Sequence, residues 1–281
     1  MNFTPVDNKG LVDGFCLIKS IDKKTSSKGD TYLDMTLSDS DGEINAKLWR
    51  YSPELHGEYT VNELIKIRGV VSQYNGSDQL KIDRIRHVTP EDGVNVSDYV
   101  KSADYTGEQM YNELYSIAEG FKDEDLKRIV LAILEDERLP LLYWPAAFKL
   151  HHAVRGGLLM HTLSIVRLAE GVCTVYPFVD RELLISGAIL HDIAKLKEFN
   201  VADTGVATGY SNEGNLLGDL AMGAMVINKY AEELNISPKT AMLLEHMVLS
   251  HHGDPEFGAA VRPMFIEAEL LSELDLMDSR V

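Results

Sequence analysis

A His-Asp pair in the middle of an apolar stretch constrains this chain more than any other feature. Residues 183–197 read LLISGAILHDIAKLK. Leu184, Ala188, His191 and Lys195 stand at i, i+4, i+7 and i+11, one continuous helical stripe of the kind that faces a core. Asp192 is about 100° round the helix from His191, so both can address one point. Burying a carboxylate and a lysine there without partners would cost several kcal/mol. A metal ion offsets that cost, because imidazole and carboxylate both ligate and the cation reverses the local penalty.

At 281 residues the chain is long enough for two domains, each with its own core. Hydrophobic residues make up 45% and charged residues 25%, a soluble, globular composition. The N-terminal MNFTPVDNKG has no basic region leading into an apolar one, so no secretory signal is expected. No apolar run is read as approaching the ~18 residues of a membrane span, and no membrane partner is expected. Cys16 and Cys173 lie far apart without motif spacing, and both are expected as buried thiols in a reducing cytoplasm.

The formal charge is −17 but unevenly spread. Residues 1–90 hold 12 Lys+Arg against 13 Asp+Glu, and the rest 15 against 31. A nearly neutral front joined to a strongly acidic rear suggests two domains with different tasks. Any contact with a polyanion must then come from local basic groups or metal ions.

The front reads as strands. In TYLDMTL (31–37) Leu33, Met35 and Leu37 alternate with Tyr32, Asp34 and Thr36; residues 44–49 set Ile44, Ala46 and Leu48 against Asn45, Lys47 and Trp49. ELIKIRGVV (63–71) and QLKIDRI (79–85) flank an Asn75-Gly76 turn, and Leu11–Ile21 adds another strand. Five short strands in about 90 residues predict a small barrel, with an OB-fold leading. The outward Tyr32, Lys47, Trp49, Lys66, Arg68 and Tyr74 are expected on one sheet surface. Single-stranded nucleic acid uses such a mixture, stacking bases on rings while cations track phosphates. The alternative is that the rings cover the barrel or pack on the second domain.

Residues 91–106 are polar, hold Gly93, Asn95 and Ser97, and read as a linker. From Gly107 the pattern is helical, with helices expected at 107–121, 123–136, 160–173, 180–199, 216–234, 238–250 and 263–278. Seven of the nine histidines lie here: His151, His152, His161, His191, His246, His251 and His252. Asp275 and Asp278 add acids at i, i+3 spacing. Tyr143, Trp144, Met222 and Met225 read as core. His56 and His87 are assigned nothing.

GGLLMHT (156–162), LHDIAK (190–195), HMVLSHHG (246–253) and LDLMDS (274–279) resemble, in order, the metal motifs of the HD superfamily of metal-dependent phosphohydrolases. With an OB-like domain in front, the chain resembles YhaM-type 3′→5′ exoribonucleases. KLHHAVRGGLLMHT, EGNLLGDLAMGA and LSHHGDPEFGAAVRPMFIEAE extend that resemblance through most of the chain. It implies a multidomain fold: an all-β OB-fold barrel that binds single strands over residues 1–90, a linker over 91–106, and an all-α HD domain over 107–281.

Carried over, the resemblance implies that His161, His191, Asp192 and Asp275 hold a first metal, with Asp278 the substitute for Asp275. Asp192 would bridge to a second ion held by His251 and His252. His246 is a further candidate ligand, or else orients one. Lys195 would neutralise phosphate charge in the transition state. Apart from the resemblance, His151 and His152, just before Arg155, read either as contacts for substrate phosphate at the pocket mouth, together with Arg155, or as capping and packing residues. Asp219 stands where related enzymes are expected to carry a histidine, which favours Mn²⁺ or Mg²⁺ or leaves a weaker second site. Cofactor expectations are one or two divalent ions, Mn²⁺ first, then Mg²⁺ or Co²⁺. The chain stops at Val281, directly after the last acid, so a missing terminal helix or a truncated sequence is expected.

The implied activity is hydrolysis of single-stranded RNA, and of single-stranded DNA as a second substrate, to nucleoside 5′-monophosphates. A homo-oligomer is expected. Two alternatives stand beside it: an HD phosphohydrolase acting on mononucleotides, and a non-catalytic single-strand-binding protein.

Overall fold

The period-two alternation of the front half closes into a barrel. The computed structural model describes residues 10–39, 42–74, 76–148 and 153–281. The chain forms two compact units, residues 1–101 with 202–204, and residues 102–201 with 205–281. In the first, β1 (Leu11–Thr25), β2 (Thr31–Ser38), β3 (Glu43–Trp49), a single helical turn α1 (Pro53–His56), β4 (Leu64–Tyr74) and β5 (Ser77–His87) follow one another. The strands close in the order β1-β2-β3-β5-β4, all antiparallel except for a short parallel contact between β3 and β5. Five strands in this closed order form an OB-fold.

The inward residues read from alternation, Leu33, Met35, Leu37, Ile44, Ala46, Leu48, Ile65 and Ile67, are all buried in the barrel, and Leu80 and Ile82 of β5 join them. The pairing of β4 with β5 shifts between Arg68 and Gly69, where β5 carries one extra residue, Asp83. A Cβ at Gly69 would collide with the Lys81 carbonyl, so only glycine allows the two backbones this approach. Cys16 is buried and Cys173 half-buried, both free thiols. After β5, and still within the first unit, the chain makes two 3₁₀ turns, Pro90–Asp92 and Val96–Asp98.

The second unit is helical: α2 (Gly107–Glu119), α3 (Glu124–Asp136), α4 (Arg138–Leu141), α5 (Gly157–Val175), α6 (Arg181–Leu190), α7 (Lys195–Glu198), α8 (Asn212–Leu234), α9 (Pro238–Ser250) and α10 (Ile266–Asp278). A two-stranded hairpin of β6 (Phe199–Val201) and β7 (Ala207–Tyr210) interrupts the helices. Side-chain caps start most of the long helices: Thr106 with Gln109 in a capping box, then Asp123, Asp180, Ser211 and Ser237. Leu158, Leu163, Leu184, Ala188, Leu244, Met247 and Leu271 share one core. By length and composition α5 could cross a membrane, contrary to the expectation that no run approaches that length; here Leu158, Leu159, Ile165, Val166 and Ala169 bury it in the core. Met225 is exposed, not core, whereas Met222 is buried.

Two helices depart from expectation in ways that shape the site. The continuous helix expected over 180–199 ends at Leu190, and residues 191–194 form turns before α7. Ile193 N–H bonds Leu190 O at 3.2 Å and Lys195 N–H bonds Asp192 O at 3.0 Å, both i→i−3, so this stretch winds tighter than an α-helix. α8 begins at Asn212 and is broken at Gly218, whose φ of 72° and ψ of 166° only glycine adopts without strain.

Candidate metal centre and active site

The ends of two helices build the centre of the site. His191 caps the C-terminus of α6 and His251 that of α9. His191 Nδ1 is 2.9 Å from Ala188 O, and His251 Nδ1 is 2.7 Å from Val248 O. A carbonyl only accepts, so each Nδ1 carries the proton and each Nε2 keeps its lone pair. The same bond satisfies a carbonyl the helix end would leave orphaned. Both imidazoles thereby turn Nε2 inward, at helix ends whose partial negative charge favours a cation.

α5 and α10 supply the opposite wall. His161 Nδ1 donates to Asp278 Oδ2 at 2.7 Å, while its Nε2 is 3.1 Å from Asp275 Oδ1. The i, i+3 acids of α10 thus take opposite edges of one ring. Asp275 stands on the lone-pair side and Asp278 behind it, which separates the two candidates.

Asp192 is the focus of the three rings. Its Oδ2 lies 3.4 Å from His191 Nε2 and 3.6 Å from His161 Nε2, and its Oδ1 is 3.7 Å from His251 Nε2. Lys195 Nζ bonds Oδ2 at 2.6 Å. His191, Asp192 and His251 are fully or almost fully buried, yet Asp192 Oδ1 and His251 Nε2 have no hydrogen-bond partner among the described residues. An orphaned carboxylate oxygen facing an orphaned imidazole nitrogen is costly unless a cation lies between them. The donor set therefore fits a divalent metal. Among the described residues, three overlapping groups have ligand atoms within 4.8 Å of one another: His161, His191 and Asp192; His191, His251 and Asp275; and Asp219, His251 and His252. Asp219, just after the break at Gly218, faces the second histidine pair.

Charge is distributed accordingly. Burial pushes the Asp192 carboxyl up, but Lys195, His191 and His161 together hold it well below the usual carboxylate range. Burial, with His191 beside it, brings His251 down to about 3. Burial also works against a proton on His161, but Asp275, Asp278 and Asp192 outweigh it and raise the ring to about 9. Trp144, half-buried, donates from Nε1 to Lys195 O at 2.8 Å and anchors the backbone of that lysine.

Other predicted residues lie elsewhere. His246 is outside the cluster, because its Nε2 accepts the Met264 N–H at 3.0 Å and its ring packs on Phe265. Arg155 does not line the cleft over the metal residues; its guanidinium covers the Tyr143 ring at 5.2 Å, and burial lowers its pKa. His151 and His152 lie outside the described residues. That cleft, of about 850 Å³, includes Phe257, Arg262 and Arg280, which sequence spacing did not single out because they belong to no ligand motif. Glu198, buried near Lys195 in sequence, was missed too; burial and Asp219 push it up to about 7.

On the barrel, Tyr32 and Trp49 are cross-strand partners with rings stacked at 4.5 Å, and Lys47 Nζ lies 5.2 and 5.6 Å from the two ring centres. Trp49 is 40% exposed and Tyr74, at the β4–β5 turn, 62%. The expected residues are spread over several strands: Lys66 and Arg68 are on β4, which pairs with β1 and β5 and not with β2 or β3. Lys66 covers Phe15 at 5.0 Å. Between the two groups β5 adds Lys81 opposite Lys47 and Arg84 opposite Arg68. Like charges directly opposite are unfavourable, so this band favours an anion.

A helical unit with a His/Asp cluster at its centre, carried on a chain with an OB barrel, defines a metal-dependent phosphohydrolase of the HD type. Residues 158–280 match the HD domain family. The chain is 38% identical to the 3′-5′ exoribonuclease YhaM of Listeria welshimeri over 270 residues, 96% of this chain and 85% of that protein. It is 36% identical to the 3′-5′ exoribonuclease YhaM of Bacillus subtilis over the same shares. The second OB-fold domain of replication protein A from Methanococcus maripaludis is 17% identical over 27% of this chain and 84% of its own, with a TM-score of 0.22. The chain belongs to the YhaM family of 3′-5′ exoribonucleases.

Proposed function

We propose that this chain is a metal-dependent exoribonuclease that removes nucleoside 5′-monophosphates from the 3′ end of single-stranded RNA, and of single-stranded DNA as a lesser substrate. The observation that carries the reading is the convergence of three Nε2 atoms on one carboxylate with Asp192 Oδ1 and His251 Nε2 left unpartnered. His161, His191, Asp192 and Asp275 would hold one divalent ion, and Asp219, His251 and His252 a second; Asp192 Oδ1 is turned towards His251 Nε2. Mn²⁺ is the first choice for this imidazole–carboxylate set, with Mg²⁺ or Co²⁺ in its place. Bound ions supply an activated water and stabilise the attacking and leaving oxygens.

The chain's own residues set where that chemistry acts. Asp278 fixes the His161 ring by its Nδ1–H, as Ala188 O and Val248 O fix the other two. Lys195, which lines the cleft, brings a positive charge to the scissile phosphate. Because the site is acidic, it excludes phosphate until cations are in place, which reconciles a charge of −17 with a polyanionic substrate. On the barrel, Tyr32, Trp49 and Tyr74 stack bases of the upstream strand, while Lys47, Lys66 and Arg68 meet its phosphates.

The test is a digestion of 5′-labelled single-stranded RNA with Mn²⁺, Mg²⁺ or chelator, beside Asp192→Ala. A metal-dependent ladder shortening from the 3′ end, absent in the variant, is expected. Full activity of Asp192→Ala would overturn the mechanism, and RNA binding without shortening in any metal would favour a binding protein.

A further inference from the structure

The loop after His251-His252 is braced so that it holds an aromatic ring and a guanidinium at the cleft. Gly253, with φ of 78°, turns the chain out of α9. Asp254 then caps the 3₁₀ turn Pro255–Phe257: its Oδ1 accepts the Glu256 N–H at 3.0 Å, and its backbone carbonyl accepts the Phe257 N–H at 2.8 Å. The other oxygen of the same carboxylate pairs with Arg262 at 2.6 Å. Gly258, at φ of 111°, closes the turn; buried Ala259 and the bond from Ala260 N–H to Leu249 O at 2.9 Å tie the loop back to α9. One carboxylate thus sets the positions of both Phe257 and Arg262.

Phe257 is 80% exposed. Single exposed apolar side chains are common and carry no meaning by themselves. This one lines the same cleft as His161, Lys195, His251, Asp275 and Arg262. An open aromatic face and a guanidinium lining one cleft over an acidic metal site match the two halves of a nucleotide. A base stacks on the ring, and a phosphate takes N–H donors of the guanidinium that Asp254 does not use.

We propose that Phe257 is a substrate-positioning residue that stacks on the base of the nucleotide being released, with Arg262 binding the neighbouring phosphate; the inference rests on the exonuclease reading above. Every base has a flat face, so the ring reads the presence of a base and not its identity. Stacking is made equally in the bound substrate and the transition state, so its loss belongs in KM and leaves kcat nearly unchanged.

The experiment uses the full chain with Mn²⁺ and two 5′-labelled single-stranded RNAs that differ only at the 3′-terminal residue, one normal and one abasic. With the normal end, Phe257→Ala is expected to raise KM about tenfold, the order expected for one lost base stack, with kcat within about twofold, and Phe257→Trp to restore KM. With the abasic end, Phe257→Ala and the unaltered protein should have the same KM. Arg262→Gln should weaken both substrates alike, because both carry the phosphate. Calorimetric uptake of Mn²⁺ by Phe257→Ala should be unchanged, which separates loss of stacking from damage to the metal residues. Equal effects of Phe257→Ala on both substrates, or none on either, would overturn the stacking role, and an inert Arg262→Gln would overturn the phosphate role. Absence of any 3′ shortening by the unaltered protein would count against the exonuclease reading itself.

Discussion

At the scale of single residues, Asp275 and Asp278 show why spacing alone left the site ambiguous. Both sit on one face of α10, and only the tertiary structure shows that one faces Nε2 of His161 and the other Nδ1. Asp275→Asn should remove a metal contact outright, whereas Asp278→Asn should weaken metal binding by about 10–100-fold through the loosened ring. Titration calorimetry with Mn²⁺ checks the order; equal losses would remove the distinction. The two buried imidazoles also predict a pH signature for the chelated protein. His161, raised to about 9, keeps in the folded state a proton that the unfolded chain releases near 6.5. Its stabilisation is complete below 6.5 and lost as pH rises through 9. His251, lowered to about 3, refuses a proton that the unfolded chain takes up near 6.5, so stability falls as pH drops from there. Melting temperature in chelator should therefore peak near neutral pH, and bound Mn²⁺ should abolish the alkaline decline by replacing the His161 proton.

At the scale of elements, the strands were legible because period-two alternation survives in a barrel whose inside is dry. The His-Asp stripe was half legible: Leu184, Ala188 and His191 are all buried as the helical reading requires, but the helix stops at Leu190. No periodicity rule could show this, because the tight turns at 191–194 leave no residue signature. The break at Gly218 was equally hidden, a lone glycine within a helical pattern. Gly218→Val should strain the backbone by about 1–2 kcal/mol and weaken the site that includes Asp219. Loss of one metal equivalent, with the other retained, is the expected calorimetric result. On the barrel, the stacked Tyr32–Trp49 pair and Arg68 fall on non-adjacent strands. Trp49→Ala should weaken single-stranded RNA binding about tenfold and little affect its salt dependence. Arg68→Ala should reduce the salt slope, since a phosphate contact releases counterions. Anisotropy at several salt concentrations separates them, and identical profiles would count against the division.

At the scale of the whole molecule, the division into two units predicts two responses to chelation. An ion that binds only the folded helical unit stabilises it by about 2.7 kcal/mol at a hundredfold excess over Kd. Calorimetric scans with and without Mn²⁺ should move the transition of that unit alone and leave the barrel's where it was. A shift shared by both would show that the units unfold together. Sequence by itself determined the two kinds of unit and the inward-facing residues of β2, β3 and β4, and it singled out His161, His191, Asp192, His251 and Asp275, which the fold brings together, because alternation and ordered His/Asp motifs are local properties of the chain. Tertiary structure alone decided which atoms meet. Helix ends turn His191 and His251 inward, α10 grips both edges of His161, a backbone contact takes His246 away, and a braced loop puts Phe257 and Arg262 at the cleft. Those outcomes depend on residues far apart in sequence filling each other's hydrogen-bonding needs, which no local pattern records.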